Sequence, residues 1–137
     1  MAKYIIWLDD TWLIWKLSGG KAHVTDYTNL AGTLLGDITR LDYNEEMLRE
    51  FGIPRAIMPQ PYITGKFKVN TDPEVFWGHA IPIAASAGDQ TASTVGQACI
   101  KPGMIKNTYG TGSFMVLNAG SVLPQNIPAS TGLFIEQ

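Results

Sequence analysis

A short apolar run leads directly into a helical pattern in the second half of the chain. The run from Ile81 to Ser86 has the length and composition of a buried strand, and a glycine-containing turn joins it to a predicted helix from Gln90 to Ile100. Two further strands are predicted at Met104 to Tyr109 and Ser113 to Asn118. Strands that alternate with helices in this way indicate an α/β fold.

The first half of the chain contains two predicted helices. Asp10 is expected to cap a helix from Thr11 to Ser18, which is so apolar that it should be buried on nearly every side. Asn44 is expected to cap a second helix from Glu45 to Phe51. The helix is expected to end there because Gly52 and Pro54 follow. A strand is also predicted near Tyr62 to Val69.

The helix predicted from Gln90 has a stripe of small or apolar residues. Ala92, Val95, Gly96 and Cys99 fall at positions i, i+3, i+4 and i+7, so they share one face. Small side chains let another backbone approach closely, and tight packing is therefore expected there. Cys99 is the single cysteine, which excludes an internal disulfide and agrees with a reducing cytoplasm.

Composition excludes several classes of partner. The chain has 137 residues, 45% of them hydrophobic, and a net charge of -2, so it has no basic excess for binding nucleic acid. The longest apolar stretch, Tyr4 to Leu17, is interrupted by Asp9, Asp10 and Lys16, whereas a membrane span needs about 20 apolar residues. We therefore expect a cytoplasmic protein with neither a nucleic-acid nor a membrane partner.

The turn at Gly88-Asp89-Gln90 is the first candidate site. Ligands of open α/β sheets bind outside the carboxyl ends of strands, where this turn is predicted to lie. The Asp89 carboxylate could accept a proton from a substrate hydroxyl, and the Gln90 amide could bind a second hydroxyl. The alternative is that Asp89 only caps the helix, since aspartate is a favoured N-cap residue.

The turn at Gly110-Thr111-Gly112 is the second candidate site. Glycines between strands leave backbone N–H groups accessible to phosphate oxygens, and the Thr111 hydroxyl is a further donor. The alternative is an ordinary hairpin turn. The segment lacks the length and the lysine of a Walker A loop, so that motif is excluded.

Metal-binding residues are not predicted. His23 and His79 have no ligand partners at metal-binding spacing, and both are interpreted as ordinary surface or core histidines.

Several short motifs follow one another in the order found in one kinase family. Over about residues 9 to 120 the chain resembles the FGGY family of carbohydrate kinases. The matching segments are Asp10-Thr11-Trp12-Leu13-Ile14-Trp15-Lys16-Leu17, His23-Val24-Thr25-Asp26-Tyr27-Thr28-Asn29, Gly52-Ile53-Pro54-Arg55, Ile81-Pro82-Ile83, Ala87-Gly88-Asp89-Gln90, Gly96-Gln97-Ala98-Cys99, Pro102-Gly103-Met104 and Lys106-Asn107-Thr108-Tyr109-Gly110-Thr111-Gly112.

The resemblance implies a partial actin-like, ribonuclease H-like ATPase fold. Residues 1–98 would be the end of the family's N-terminal, substrate-binding domain, and residues 99–137 the start of its C-terminal, nucleotide-binding domain. Asp89 matches the family's catalytic base, and Gln90 matches a residue that contacts the polyol. Gly110 and Thr111 match the nucleotide-phosphate loop. The resemblance also implies ATP and Mg²⁺ as cofactors and a homo-oligomer.

The implied reaction is transfer of the γ-phosphate of ATP to glycerol or a similar small polyol, with the segment expected to be inactive alone. Leu30 to Thr33 departs from the family's Ala-Ser-Arg-Thr, and Thr91 stands where a second glutamine is usual. Two alternatives stay open. One is a kinase of the same family for another sugar or polyol, such as a pentulose. The other is a non-catalytic, excised or engineered actin-like module.

Overall fold

The computed structural model describes residues 5–121. Within them the helices are α1 Asp9–Leu17, α2 Tyr27–Ala31, α3 Glu45–Glu50 and α4 Asp89–Gly96, with a 3₁₀ turn at Arg55–Ile57. The strands are β1 Val24–Asp26, β2 Gly36–Asp37, β3 Asp42–Tyr43, β4 Gln60–Tyr62, β5 Val69–Asn70, β6 Pro82–Ile83, β7 Ile105–Tyr109 and β8 Ser113–Leu117. β1 pairs with β4 in parallel, whereas β2–β3, β5–β6 and β7–β8 are antiparallel pairs.

The described residues form two compact units, one ending at Ala87 and the other beginning at Gly88. The boundary expected at residue 98 concerns the two domains of the family, and it stays a prediction. Residues 122–137 of the second predicted domain lie outside the described part of the chain. No helix within residues 5–121 is long and apolar enough to cross a membrane.

The prediction that Asp10 caps α1 is wrong. Leu8 occupies the N-cap position and makes no side-chain cap bond, whereas Asp10 lies inside the first turn. Its carboxylate accepts hydrogen bonds from the Thr25 hydroxyl at 3.0 Å and from the backbone N–H of Asp26 at 2.9 Å. Asp10 therefore joins α1 to β1 instead of capping its own helix.

The expectation that α1 is buried all round is also wrong for the described chain. Only Asp10, Thr11 and Ile14 are buried on this helix, while Trp12 and Leu13 are 48% and 59% exposed. Trp12 nevertheless packs edge-on against Trp7, with ring centroids 5.3 Å apart. The helix is thus one-sided, with a polar group at the centre of its buried face.

Two apolar clusters make up the core of the first unit. The larger contains Leu30, Tyr43, Leu48 and Met58, from α2, β3, α3 and the residue after the 3₁₀ turn. The smaller contains Ile14, Val24 and Phe67. Burial of such side chains contributes about 1.5–3 kcal/mol each, so these clusters are the main apolar stabilisation of the unit.

A buried aspartate network, consisting of Asp10, Thr25, Asp26 and Thr64, lies where β1 ends. Asp26 is 0% exposed and caps α2 by accepting from the backbone N–H groups of Thr28 and Asn29. Its carboxylate also accepts from the side chains of Thr28, Asn29 and Thr64 at 2.7, 2.5 and 2.5 Å. Five donors thus compensate the burial of one carboxylate.

Thr64 extends this network to the end of the first unit. Its one hydroxyl hydrogen is shared between the Asp26 carboxylate and the backbone carbonyl of Ser86, which lies 2.9 Å from the hydroxyl oxygen. Ser86 is the second-last residue before the boundary at Ala87, so the contact fixes the last residues of the first unit.

Helix α3 and the β7–β8 hairpin confirm the corresponding predictions. Asn44 caps α3 by accepting from the backbone N–H groups of Glu46 and Met47. The hairpin pairs Tyr109 with Ser113, which leaves residues 110–112 as its turn.

Three predicted elements have different bounds. The strand near Tyr62 to Val69 is wrong, because β4 ends at Tyr62 and β5 begins only at Val69. The strand from Ile81 to Ser86 shortens to β6. The helix predicted to Ile100 ends at Gly96, and Ala98 adopts φ 57, a left-handed conformation that cannot continue a right-handed helix.

Replacing Asp10 by asparagine should change the pH dependence of stability. Burial raises the pKa of Asp10 above its ordinary value of 3.8, opposed by the hydrogen bonds from Asp26 and Thr25. The folded chain therefore binds this proton more tightly than the unfolded chain, so stability from Asp10 is lost as pH rises through its folded pKa. We will compare the free energies of unfolding of Asp10→Asn and wild type, both measured by urea titration. We expect the value for Asp10→Asn minus the value for wild type to increase from pH 3 upward. A difference that stays constant with pH would contradict this.

Replacing Thr64 by valine should destabilise the first unit. Valine keeps the shape but removes the hydroxyl shared by Asp26 and the Ser86 carbonyl, so we expect a loss of about 1–3 kcal/mol in the free energy of unfolding. The matched control is Thr39→Val, which removes an exposed hydroxyl bond of 2.6 Å to Asp37 and should change stability by less than about 0.5 kcal/mol. Equal losses in both variants would show that the half-buried Thr64 contact contributes no more to stability than the exposed Thr39 contact.

Candidate functional site

Asp89 is an exposed first-turn residue of α4. Gly88 occupies the N-cap position, so Asp89 does not take the cap role that was its alternative interpretation. Its Oδ1 accepts from the backbone N–H of Gln90 at 2.8 Å, and within residues 5–121 its Oδ2 has no hydrogen-bond partner. A carboxylate in the first turn interacts favourably with the helix N-terminus. Asp89 thus offers one oxygen to an incoming donor.

Lys106 holds Gln90 from the neighbouring strand. The Lys106 side chain comes from β7 and is 1% exposed. Its ammonium donates to Gln90 Oε1 at 2.5 Å, to Ser93 Oγ at 2.6 Å and to the Gln90 carbonyl at 3.4 Å. Three acceptors for three N–H groups satisfy this buried cation without a carboxylate among the described residues.

The sequence pattern did not indicate a site role for Lys106. β7 and β8 alternate between two faces, and the more apolar face contains Ile105, Met115 and Leu117, which the pattern rule assigns to the interior. In the described chain those three residues are exposed, and the face with Lys106 packs against α4. The one available signal was a lysine in an otherwise uncharged strand.

The small-residue face of α4 is not packed as expected. Ala92, Val95 and Gly96 are exposed in the described chain, and the buried residue of the helix is Thr94, whose hydroxyl donates to the Gln90 carbonyl at 2.8 Å. Cys99 is buried, as predicted. The polar face of α4 is therefore the packed one, and it holds Gln90.

The hairpin turn presents an unpartnered hydroxyl. Within residues 5–121 the Thr111 side chain is exposed and makes no hydrogen bond. The backbone N–H of Gly110, by contrast, donates to the Gly112 carbonyl at 3.0 Å, so this amide is not free as expected. Of the two predicted phosphate contacts, the Thr111 hydroxyl is the one available in this conformation.

The protein's own backbone does not require glycine at position 110. Its φ is outside the left-handed region, and a Cβ added there would meet nothing closer than the Gly112 carbonyl at 3.7 Å. A side chain would fit the described chain, so the glycine leaves space beside Thr111 instead of relieving strain. Space of this kind suits a close-approaching ligand.

All four predicted site residues belong to the second unit. Lys106 connects Gln90 to β7, and β7 runs into the turn that contains Gly110 and Thr111. No direct hydrogen bond joins Asp89 to Thr111 within the described residues. Those residues also contain no group of three His, Cys, Asp or Glu side chains that could hold a metal ion.

The chain is similar to carbohydrate kinases along most of its length. Residues 1–96 match the N-terminal domain of the FGGY family of carbohydrate kinases. Glycerol kinase of Carboxydothermus hydrogenoformans is 54% identical over 111 residues, which cover 81% of this chain and 22% of that protein. Glycerol kinase of Halalkalibacterium halodurans is 49% identical over 124 residues, covering 90% of this chain and 24% of that protein.

A solved structure has the same fold. The crystal structure of Plasmodium falciparum glycerol kinase with ADP matches with a TM-score of 0.78 and 36% identity, over 85% of this chain and 23% of that one. The chain thus spans less than a quarter of the length of each of these relatives. The chain belongs to the FGGY family of carbohydrate kinases and contains part of its actin-like ATPase fold.

Proposed function

We propose that this chain supplies the polyol-activating residues of an ATP-dependent kinase that converts glycerol to glycerol 3-phosphate. Family membership and the relatives named glycerol kinase support the reaction class. The observation that carries the proposal is Asp89, an exposed carboxylate in the first turn of α4 with one oxygen unpartnered among the described residues.

Asp89 acts as the general base in this proposal. It takes the proton from a terminal hydroxyl of glycerol while that oxygen forms a bond to the γ-phosphorus of ATP. The bond between the γ-phosphorus and the β–γ bridging oxygen breaks, and ADP leaves with that electron pair. Because phosphoryl transfer needs mainly positioning and charge stabilisation, the base works only when the hydroxyl is held in line.

Thr111 and Gly110 are the proposed contacts to the nucleotide phosphates. The Thr111 hydroxyl is unpartnered within the described chain, and the missing side chain at Gly110 leaves room for a phosphate oxygen. A relative of known structure was crystallised with ADP, which supports nucleotide use. Mg²⁺ would accompany ATP and would neutralise part of the negative charge of its phosphates.

Asp89→Asn should remove most of the activity. The assay is polyol-dependent ADP release by a chimera in which the matching 81% of this chain replaces the corresponding 111 residues of the Carboxydothermus hydrogenoformans glycerol kinase. Loss of a general base lowers kcat by about 10²–10⁴-fold, with little change in KM for ATP. The chain by itself is expected to show no turnover.

Asp9→Asn is the matched control for this experiment. Asp9 is also an exposed first-turn aspartate, but it belongs to α1 in the first unit. This variant should keep wild-type kcat. Full activity of Asp89→Asn would refute the base assignment. If the wild-type chimera prefers a pentulose over glycerol in a panel of acceptors, the proposed substrate is a pentulose instead of glycerol.

Thr111→Val should weaken nucleotide binding selectively. A hydrogen bond to a charged phosphate is worth about 1.5–3 kcal/mol, so KM for ATP should rise roughly 10-fold or more while KM for glycerol stays unchanged. Thr39→Val, which changes an exposed threonine of the first unit, is the control and should leave both constants unchanged. An unchanged KM for ATP in Thr111→Val would remove Thr111 from the phosphate site.

A further inference from the structure

Lys106 is a buried cation placed against an amide that the proposed reaction uses. Its ammonium is 1% exposed and lies 2.5 Å from Gln90 Oε1. Its other two contacts, with Ser93 Oγ and the Gln90 carbonyl, come from the same turn of α4. One side chain of β7 therefore binds the first turns of α4 at three points.

The chemistry of the ammonium group fixes the orientation of the Gln90 amide. Lysine has three donors and no acceptor, so the amide atom that faces it must be the oxygen. With the oxygen occupied, the amide NH₂ is the group left for a ligand, and within residues 5–121 it has no partner. Gln90 can then donate a hydrogen bond to a substrate through its NH₂ group, while its oxygen keeps one lone pair.

Stability alone does not call for a lysine at this position. Burying a charge without a carboxylate partner has a desolvation cost, which hydrogen bonds to neutral groups only partly offset. Methionine has a similar length and volume and would avoid that cost. A lysine here is therefore explained better by what it does to Gln90 than by packing.

We propose that Lys106 is a positioning residue that presents Gln90 to the polyol as a hydrogen-bond donor. The inference rests on the proposed function. Asp89 accepts a proton from the reacting hydroxyl, and its neighbour Gln90 donates to the oxygen of a second hydroxyl. The pair thereby selects an acceptor with two nearby hydroxyl groups. Lys106 makes Gln90 the hydrogen-bond donor to the second of them.

The test compares glycerol with propane-1,2-diol and propane-1,3-diol, each of which lacks one hydroxyl. In the chimera described above, we expect Lys106→Met to raise KM for glycerol roughly 10-fold and to change KM for ATP less than about 2-fold. The ratio of kcat/KM for glycerol to that for the diol lacking the contacted hydroxyl should fall by a similar factor. A purely structural role would lower kcat/KM for all three substrates equally.

Two further variants separate positioning from folding. Gln90→Glu keeps the contact with Lys106 as an ion pair but removes the NH₂ donor, so it should lose the same discrimination while remaining folded. Lys101→Met changes an exposed lysine of the same unit and should behave as wild type. In the ¹⁵N-labelled 137-residue chain, the Gln90 side-chain amide signal should shift in Lys106→Met and not in Lys101→Met.

The outcomes distinguish this inference from the function on which it rests. A wild-type chimera without polyol-dependent ADP release overturns the proposed function, and the inference with it. An active wild type whose Lys106→Met variant keeps full discrimination between glycerol and both diols overturns the role of Lys106 only. An unshifted Gln90 amide signal in Lys106→Met would show that the contact itself is wrong.

Discussion

The hydrogen bonds to the two carboxylates of the buried aspartate network determine how the elements of the first unit are arranged. Asp26 accepts five of them, from the first turn of α2 and from Thr64 after β4, while Asp10 brings α1 against β1. A buried carboxylate is tolerated only when donors surround it, so each of these elements has to be in place together. Apolar clusters supply most of the stabilisation, but the network determines which ends of the helices and strands lie next to one another.

The same network reaches the last residues of the first unit. Thr64 connects Asp26 to the carbonyl of Ser86, three residues before Asp89 in the chain. The end of the parallel β1–β4 pair is thus hydrogen-bonded to the last residues of the first unit. Sites in α/β proteins lie beyond the carboxyl ends of parallel strands, and here that position is occupied by polar side chains already engaged with one another. These hydrogen bonds fix the backbone of the first unit around the end of the β1–β4 pair.

Local signals were readable from the sequence, and long-range polar contacts were not. Asn44 caps α3 and the glycine turn joins β7 to β8 as predicted, because both depend on neighbours within a few residues. Asp10 looked like a cap, yet it serves β1, whose bonding residues are 15 and 16 positions away. Lys106 was given no site role for the same reason, since nothing near it in sequence indicates that Gln90 is its partner. The exposure of Val95 and Met115 inverts the rule that apolar faces pack.

This inversion bears on how the candidate site works. The contact that joins α4 to β7 is a set of hydrogen bonds, which depend on direction. The position of the Lys106 ammonium therefore fixes the orientation of the Gln90 amide more closely than apolar packing would. Through Lys106, the strand that runs into the Thr111 turn also sets the amide beside the proposed base. Strand β7 would then position both the Gln90 amide that contacts the polyol and the Thr111 turn that contacts the nucleotide. A change in that strand should therefore affect recognition of the acceptor even when Asp89 itself is untouched.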